Sequence, residues 1–220
     1  MTVSSRREKN RLENRQRALD AALTVFSENG YAAATMDAIA MEAGLTKPTL
    51  YQYFNGKQAL FQAMMLAPRN NMLMVFDEPL DACHVTQLWR FSWAYADVVM
   101  RPEFLSLARL VIGDATRLPD LGQAYQDSGP NRVLEGLTDF MAQLAERKLL
   151  NIEDPELAAE DFWGLILSSP RNRALHVPNN IPNIKMLQRY VHNGQKVFLR
   201  AYSVAPEQDL AILDRLISEG

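Results

Sequence analysis

The first part of the chain has the pattern of an amphipathic helix. Its apolar residues recur at intervals of three and four, which places them on one helical face. These residues are Leu19, Ala22, Leu23 and Phe26. We predict a helix over residues 12–29, ended by Gly30, because glycine tolerates the left-handed backbone that follows many helices.

Two short helices joined by a glycine turn are predicted next. Thr35 is placed to cap a helix that ends at Gly44. Thr46 is placed to cap the next one, whose first turn contains Pro48. Helices this short are not stable alone, so they must pack on their neighbours. The spacing is typical of a helix-turn-helix motif, and an ordinary helical hairpin is the alternative.

The remainder of the chain is also predicted to be helical. A fourth helix runs from Gly56 to about Ala67, and Pro68 is expected to break it. The later predicted helices cover residues 83–100, 103–117, 120–128, 130–148, 155–169, 184–202 and 206–218. Several prolines between residues 169 and 182 predict a loop there.

The composition favours an all-α protein with a sizeable core. Hydrophobic residues make up 48% of the 220 residues and charged residues 22%, and helix-favouring alanine and leucine outnumber valine and isoleucine. No charge-free stretch approaches the roughly 18 residues that a membrane span needs. The single Cys83 excludes an internal disulfide. We expect a cytoplasmic protein without a membrane partner.

Positive charge is concentrated near the N-terminus. The net charge is −3, but residues 1–66 carry eight Lys and Arg against six Asp and Glu. Six of these cations lie between Arg6 and Arg17, a stretch that we call the basic segment. It is a candidate phosphate-binding arm. The alternative is a solvated chain end in which acidic residues are interspersed.

The third predicted helix has the chemistry of a DNA-reading element. Leu50 supplies an inward anchor, and the other positions offer hydroxyl, amide and ammonium groups that reach base edges and phosphates. These positions are Lys47, Pro48, Thr49, Tyr51, Gln52 and Tyr53. Lys57, in the first turn of the next helix, is placed to meet a phosphate. The alternative is a polar face directed at solvent.

The run from Thr35 to Phe61 resembles the DNA-binding domain of the tetracycline-repressor family of bacterial transcriptional regulators, and the resemblance extends over about residues 15–64. It implies that DNA-facing positions are Thr35, Lys47, Pro48, Thr49, Tyr51, Gln52 and Tyr53, with Lys57 on backbone phosphate. Residues 110–122, with Gly129 and Pro130, resemble the C-terminal domain of the AefR-like subgroup. We therefore expect residues 1–66 to form a DNA-binding domain and residues 67–220 a helical regulatory and dimerisation domain.

A single helix-turn-helix reads only a few base pairs, so a dimer on a palindromic operator is expected. The resemblance implies that the helices over residues 155–169 and 184–202 associate as a four-helix bundle. Their apolar residues are Leu157, Phe162, Leu165, Ile166, Leu187, Val191 and Phe198, with Gly164 and Gly194 permitting close approach. The alternative is that these residues fill the core of the single chain.

Aromatic and polar residues in the larger domain suggest a small-molecule pocket, which the resemblance places in this region. The candidate ligand-binding residues are Trp89, Trp93, Phe104, Arg109 and Tyr125. Core packing is the alternative for each aromatic residue.

Enzyme and metal-site signatures are missing from the sequence. It contains no phosphate-binding loop, nucleophile elbow or paired-histidine metalloprotease motif, and its three histidines fall in separate predicted elements. We therefore predict no enzymatic activity, no cofactor and no metal. The sequence indicates a homodimeric transcriptional regulator, more specifically a repressor, that leaves its DNA operator when an unknown small-molecule effector binds. A helical carrier protein without DNA binding is the alternative, and a helical enzyme is a further one.

Overall fold

The computed structural model describes residues 3–77 and 83–219, and these residues are helical except for short connections. The helices are α1 (Val3–Ala33), α2 (Met36–Glu42), α3 (Lys47–Tyr53), α4 (Lys57–Leu73), α5 (His84–Val99), α6 (Pro102–Asp114), α7 (Pro119–Ser128), α8 (Pro130–Glu146), α9 (Pro155–His176), α10 (Ile184–Tyr202) and α11 (Pro206–Glu219). Within the described ranges, β-structure is limited to one isolated bridge between Leu150 and Ser203. The predicted all-α fold is confirmed.

The first helix starts earlier than predicted. It begins at Val3 rather than near residue 12, so the basic segment is helical. This stretch contains neither glycine nor proline, and oppositely charged side chains pair one turn apart, as Lys9 does with Glu13 at 3.7 Å. Gly30, whose φ of 75° and ψ of 164° are not helical, ends the first helical stretch as predicted, and a short helical piece up to Ala33 follows it.

Two prolines that were expected to break helices lie inside them. α4 continues through Pro68 to Leu73, and α9 continues through Pro170 to His176. An internal proline costs about 3 kcal/mol because it removes a backbone hydrogen bond. Around Pro170 the helix is held by buried packing, since Pro170, Leu167 and Ala174 are all buried. The predicted break at Pro68 and the first half of the predicted 169–182 loop were therefore wrong.

Contacts between helices divide the chain into two compact units. One comprises Met1–Pro68 with Pro102–Gly129, and the other comprises Arg69–Arg101 with Pro130–Gly220. This division differs from the expected boundary after residue 66, because α6 packs on α1 and α7 packs on α6. The hydroxyl of Ser106 on α6 donates to the carbonyl of Ser27 on α1 at 3.0 Å.

The first unit has an aromatic cluster between α1 and α4. Phe26, Tyr31 and Phe61 form a mutual cluster with ring centroids 5.4–5.6 Å apart. Phe26 and Phe61 are almost fully buried. This cluster joins α1 to α4, while α2 packs on α1 and α3 packs on α2.

The second unit has a core of aromatic and aliphatic side chains from α5, α8, α9 and α10. α11 is tied to α5 by a buried hydrogen bond of 3.0 Å between His84 and Asp209. Ser203 donates a second hydrogen bond to the same Asp209 oxygen at 2.6 Å. Both polar groups of this buried pair are therefore satisfied.

The helices expected to form the dimer contribute much of their apolar surface to the chain's own core. Four of these side chains are completely buried within the single chain, namely Phe162, Ile166, Val191 and Phe198. This agrees with the alternative that they fill the core of the single chain. Leu157 and Leu165 differ, with 54% and 36% of their surface exposed.

The two glycines in these helices also have different surroundings. A methyl group at Gly194 would lie 2.5 Å from the carbonyl oxygen of Leu165, whereas one at Gly164 would meet nothing within 4 Å. Gly194 therefore permits close packing of α10 on α9 within one chain. Association of two chains through these helices stays a prediction.

Candidate nucleic-acid interface

The turn between α2 and α3 is built from side-chain caps and one glycine. Thr35 caps α2 by accepting a hydrogen bond from the Ala38 amide at 3.1 Å, and Thr46 caps α3 by accepting one from the Thr49 amide at 3.3 Å. Gly44 has φ of 61°, in the left-handed region that glycine adopts at little cost. The predicted caps and the predicted turn glycine are thus all present.

Helix α3 has one buried residue and a polar outer face. Leu50 is completely buried, which fixes the helix on the first unit's core. Five predicted DNA-facing residues lie on or beside the opposite surface, where Lys47, Pro48, Tyr51 and Gln52 are exposed and Tyr53 is half-buried. The structure therefore brings these side chains together on one accessible helix.

Lys47 forms an exposed ion pair across the turn. Its Nζ lies 2.9 Å from the carboxylate of Asp37 in α2, and this hydrogen bond and the negative charge raise the pKa of Lys47. Both side chains are more than half exposed. Because exposed ion pairs are weak, Lys47 can exchange Asp37 for a phosphate or a base edge at little cost.

The two predicted threonines make local hydrogen bonds. Thr35 uses its hydroxyl oxygen in the α2 cap, and the Thr49 hydroxyl lies 2.7 Å from that of Thr46. Each hydroxyl has further hydrogen-bonding capacity. Their DNA contacts stay predictions.

Lys57 points back into the protein. Its Nζ donates to the carbonyls of Tyr31, Ala32 and Ala34 at 2.7, 3.2 and 3.0 Å and lies 4.5 Å from the centre of the Tyr31 ring. Burial lowers the pKa of Lys57. In this arrangement all three ammonium protons hold the end of α1, so the implied phosphate contact stays a prediction.

We expect Lys57→Met to lower the free energy of unfolding by about 2 kcal/mol, since it leaves several carbonyls at the α1 end without their charged donor. Urea unfolding followed by circular dichroism measures this loss. Lys47→Met is the matched control, because its exposed ion pair contributes little to stability. Equal losses in the two variants would contradict the role assigned to Lys57.

Two arginines of the basic segment contact the helix-turn-helix directly. Arg17 Nη2 donates to the carbonyls of Ala43 and Gly44 at 2.6 and 3.2 Å. The guanidinium carbon of Arg15 lies 5.5 Å from the centre of the Phe54 ring, just after α3. Sequence reasoning missed these contacts because nothing local to either arginine indicates its partner.

The five predicted ligand-binding residues are divided between the two units. Phe104, Arg109 and Tyr125 lie in the first unit, and Trp89 and Trp93 lie in the second. The two tryptophan rings meet edge to face at 5.6 Å. Trp89 is also 4.9 Å from the ring of His192, whose pKa is lowered by burial.

Each unit contains a pocket that could hold a small molecule. The pocket in the second unit has a volume of about 710 Å³ and is lined by Tyr95, Trp163 and Arg171, among others. The pocket in the first unit, of about 370 Å³, is lined by residues that include Tyr31 and Phe61. Neither pocket is lined by the five predicted residues, so their ligand-binding role stays a prediction.

The described parts of the chain contain neither a helix suited to span a membrane nor a metal-binding cluster. None of the helices there combines the length and the apolarity needed to cross a bilayer. Among the same residues, no three His, Cys, Asp or Glu side chains are grouped closely enough to hold a metal ion.

The capped helices, the glycine turn and the anchored α3 define a helix-turn-helix protein with additional helical structure. Residues 18–64 match the family model described as bacterial regulatory proteins, tetR family. Residues 86–204 match the model for the C-terminal domain of AefR-like transcriptional repressors. The chain belongs to the TetR family of bacterial regulators, and the resemblance stated from the sequence is confirmed.

Relatives with known names are also transcriptional regulators. The chain is 41% identical over 70 residues to UidR of Escherichia coli, which covers 32% of the chain and 36% of UidR. It is 34% identical over 101 residues to SrpR of Pseudomonas putida, which covers 46% of each. The chain thus spans about a third to a half of the length of these curated relatives. The matches identify the class of protein rather than a shared ligand.

A solved structure matches over nearly the whole chain. It is a TetR-family transcriptional regulator of Mesorhizobium loti, 29% identical, with a TM-score of 0.72. The superposition covers 93% of this chain and 100% of that one. The fold of both units is therefore that of a TetR-family regulator.

Proposed function

We propose that the protein is a transcriptional repressor that binds double-stranded DNA through α3. The main support is that buried Leu50 anchors a seven-residue helix whose exposed face presents Lys47, Tyr51 and Gln52. A helix of this size fits the major groove, where amide, hydroxyl and ammonium groups read base edges. In this proposal residues 1–66 bind DNA, and residues 67–220 regulate that binding in the cytoplasm.

The repressor acts as a homodimer on a palindromic operator. One α3 helix contacts too few base pairs to find a single site in a genome, and a two-fold pair doubles the contact. Exposed Leu157 and Leu165, beside the open surface at Gly164, support association through α9 together with α10. Apolar side chains left uncovered on one helix are typical of such an interface.

A small-molecule effector releases the operator. The residues proposed to take part in effector binding are Trp89 and Trp93 in the second unit and Phe104, Arg109 and Tyr125 in the first. The effector needs to favour the DNA-free conformation by only about 1–3 kcal/mol to weaken operator binding by about 5- to 150-fold. The pocket of about 710 Å³ in the second unit, although it is lined by other residues, is large enough for such a ligand.

Base readout by α3 predicts a large effect of Tyr51→Ala on specific binding. A good base contact contributes about 1–3 kcal/mol, so operator affinity should fall by about 5- to 150-fold. The test uses gel-shift titrations with duplexes that the purified protein selects from fragments of its source genome. Lys47→Met should also weaken specific binding.

The control for these variants is Ile112→Ala, which changes an exposed apolar side chain on α6 in the same unit. It should leave operator affinity unchanged. If Tyr51→Ala and Lys47→Met both bind the selected duplexes as tightly as the unmodified protein, α3 is not the reading element. If the unmodified protein selects no duplex, the proposed function itself fails.

A further inference from the structure

Arg17 holds the exposed end of the helix that precedes α3. Its Nη2 donates to the carbonyl of Ala43, the C-cap residue of α2, and to that of Gly44 in the turn. Its Nη1 donates to the side-chain oxygen of Asn14 at 3.3 Å. One guanidinium thus connects α1 to the turn that leads into α3.

The carbonyls that Arg17 contacts need an external donor. The last carbonyls of a helix have no partner within the helix and carry a partial negative charge. Within the turn, the amides of Gly44 and Leu45 donate to the earlier carbonyls of Met41 and Ala40 at 3.0 and 2.9 Å. Arg17 supplies a charged donor to the carbonyls of Ala43 and Gly44, which lie beyond Glu42.

Gly44 and Arg17 are also fitted to each other sterically. A Cβ atom at Gly44 would lie 2.6 Å from Arg17 Nη2 and 3.9 Å from its Cζ, and Arg17 supplies every heavy atom found within 4 Å. The missing side chain of Gly44 therefore leaves the space that the guanidinium occupies. The positive φ favours glycine, and an added Cβ would also displace the guanidinium from its present position.

We propose that Arg17 is a positioning residue that sets the orientation of α3 against α1, and that it is not a phosphate ligand. Only the purpose of that orientation, base reading by α3, rests on the proposed function. A base-reading helix must be held to within about 0.5 Å of its productive position, whereas phosphate contacts carry no sequence information. Loss of Arg17 should therefore weaken specific binding more than non-specific binding.

Salt dependence separates a positioning residue from a phosphate ligand. We expect Arg17→Met to lower affinity for the selected operator duplex by about ten-fold, with little change for a random duplex and none in the slope of log affinity against log salt. Removal of a phosphate contact instead reduces that slope by about 0.9. Arg7→Met is the matched comparison for loss of a phosphate contact, because it removes an exposed cation of the basic segment from the same helix. A reduced slope for Arg17→Met would overturn the proposal.

A second measurement does not depend on DNA. Hydrogen exchange at the Gly44 and Leu45 amides should quicken by about ten-fold in Arg17→Met, because the turn opens more often. Arg17→Lys should restore part of the protection, since a lysine ammonium can still donate to a carbonyl there. Unchanged exchange in Arg17→Met would overturn the proposal even if DNA binding is affected.

A double-variant cycle tests the steric fit. Gly44→Ala should lower the urea midpoint of the unmodified protein, through both the positive φ and the clash with Arg17. The same substitution in Arg17→Met should cause a smaller shift, because only the backbone strain remains. Equal shifts of the urea midpoint in the two backgrounds would contradict the steric fit between Gly44 and Arg17. If no DNA is bound at all, the proposed function fails, whereas the exchange and cycle measurements still decide the role of Arg17.

Discussion

Replacement of Leu50 by alanine is expected to lower the free energy of unfolding by about 3 kcal/mol, within the range for large buried aliphatic residues. Leu50 is completely buried and is the buried residue of α3, whose seven residues cannot form a stable helix alone. The truncation leaves a cavity beneath α3 and removes the contact that fixes it. Tight operator binding should be lost with it.

Urea unfolding measures the effect of Leu50→Ala, and Gln52→Ala is its control. Gln52 lies on the exposed face of the same helix, so this substitution should change stability by less than about 0.5 kcal/mol. It should nevertheless weaken operator binding. A loss below about 1 kcal/mol for Leu50→Ala would show that α3 is held by other contacts.

The second large effect is expected for Gly194→Ala. In an open helical position alanine is more favourable than glycine by about 1 kcal/mol. At Gly194, however, the added methyl group would lie 2.5 Å from the Leu165 carbonyl oxygen and 3.0 Å from the Cα of Ile166. Because the clash is with backbone, α9 and α10 must move apart, and we expect a net loss of about 2–3 kcal/mol.

Gly164→Ala is the matched control on the neighbouring helix. An added Cβ there meets nothing within 4 Å, so the stability of the single chain should stay the same or rise slightly. Thermal unfolding of both variants at several protein concentrations separates chain stability from association. A destabilised Gly164→Ala beside an unaffected Gly194→Ala would contradict the packing described for these helices.

The helix-turn-helix could be predicted because its signals are local. Thr35, Gly44 and Thr46 each act within a few residues of their own position, as caps or as a turn. The exposed face of α3 follows from the position of Leu50 and the period of a helix. For these elements the sequence pattern and the structure agree.

The roles of the cations could not be predicted, because their partners are distant in the chain. Arg17 and Lys57 each contact carbonyls about 26 residues away. A charge pattern indicates that a cation is present, but only the packed fold decides whether it faces solvent or closes a helix end. Both its position in the first turn of a helix and the resemblance predict Lys57 on phosphate, whereas in the structure it faces the end of α1.

Tertiary packing also decided two features that the local sequence pattern does not: the helix through Pro170 and the partners of the apolar stripes on α9 and α10. Proline is a reliable helix breaker only where little else holds the helix, and buried neighbours hold α9 on both sides of Pro170. The apolar stripes on α9 and α10 were compatible with either a dimer face or an internal core. Burial of Phe162 and Phe198 assigns those residues to the core.

The early start of α1 limits how its charges can meet a duplex. In a flexible tail every cation could reach its own phosphate, whereas in a helix the side chains project in fixed directions. Arg7, Arg11 and Arg15 recur every fourth residue and share one stripe of the rod, and Arg15 already rests beside the end of α3. Lys9 projects from the face opposite this stripe, so a helical segment cannot turn all six cations toward a duplex at once, and in the proposed complex fewer counterions would be displaced than their number suggests.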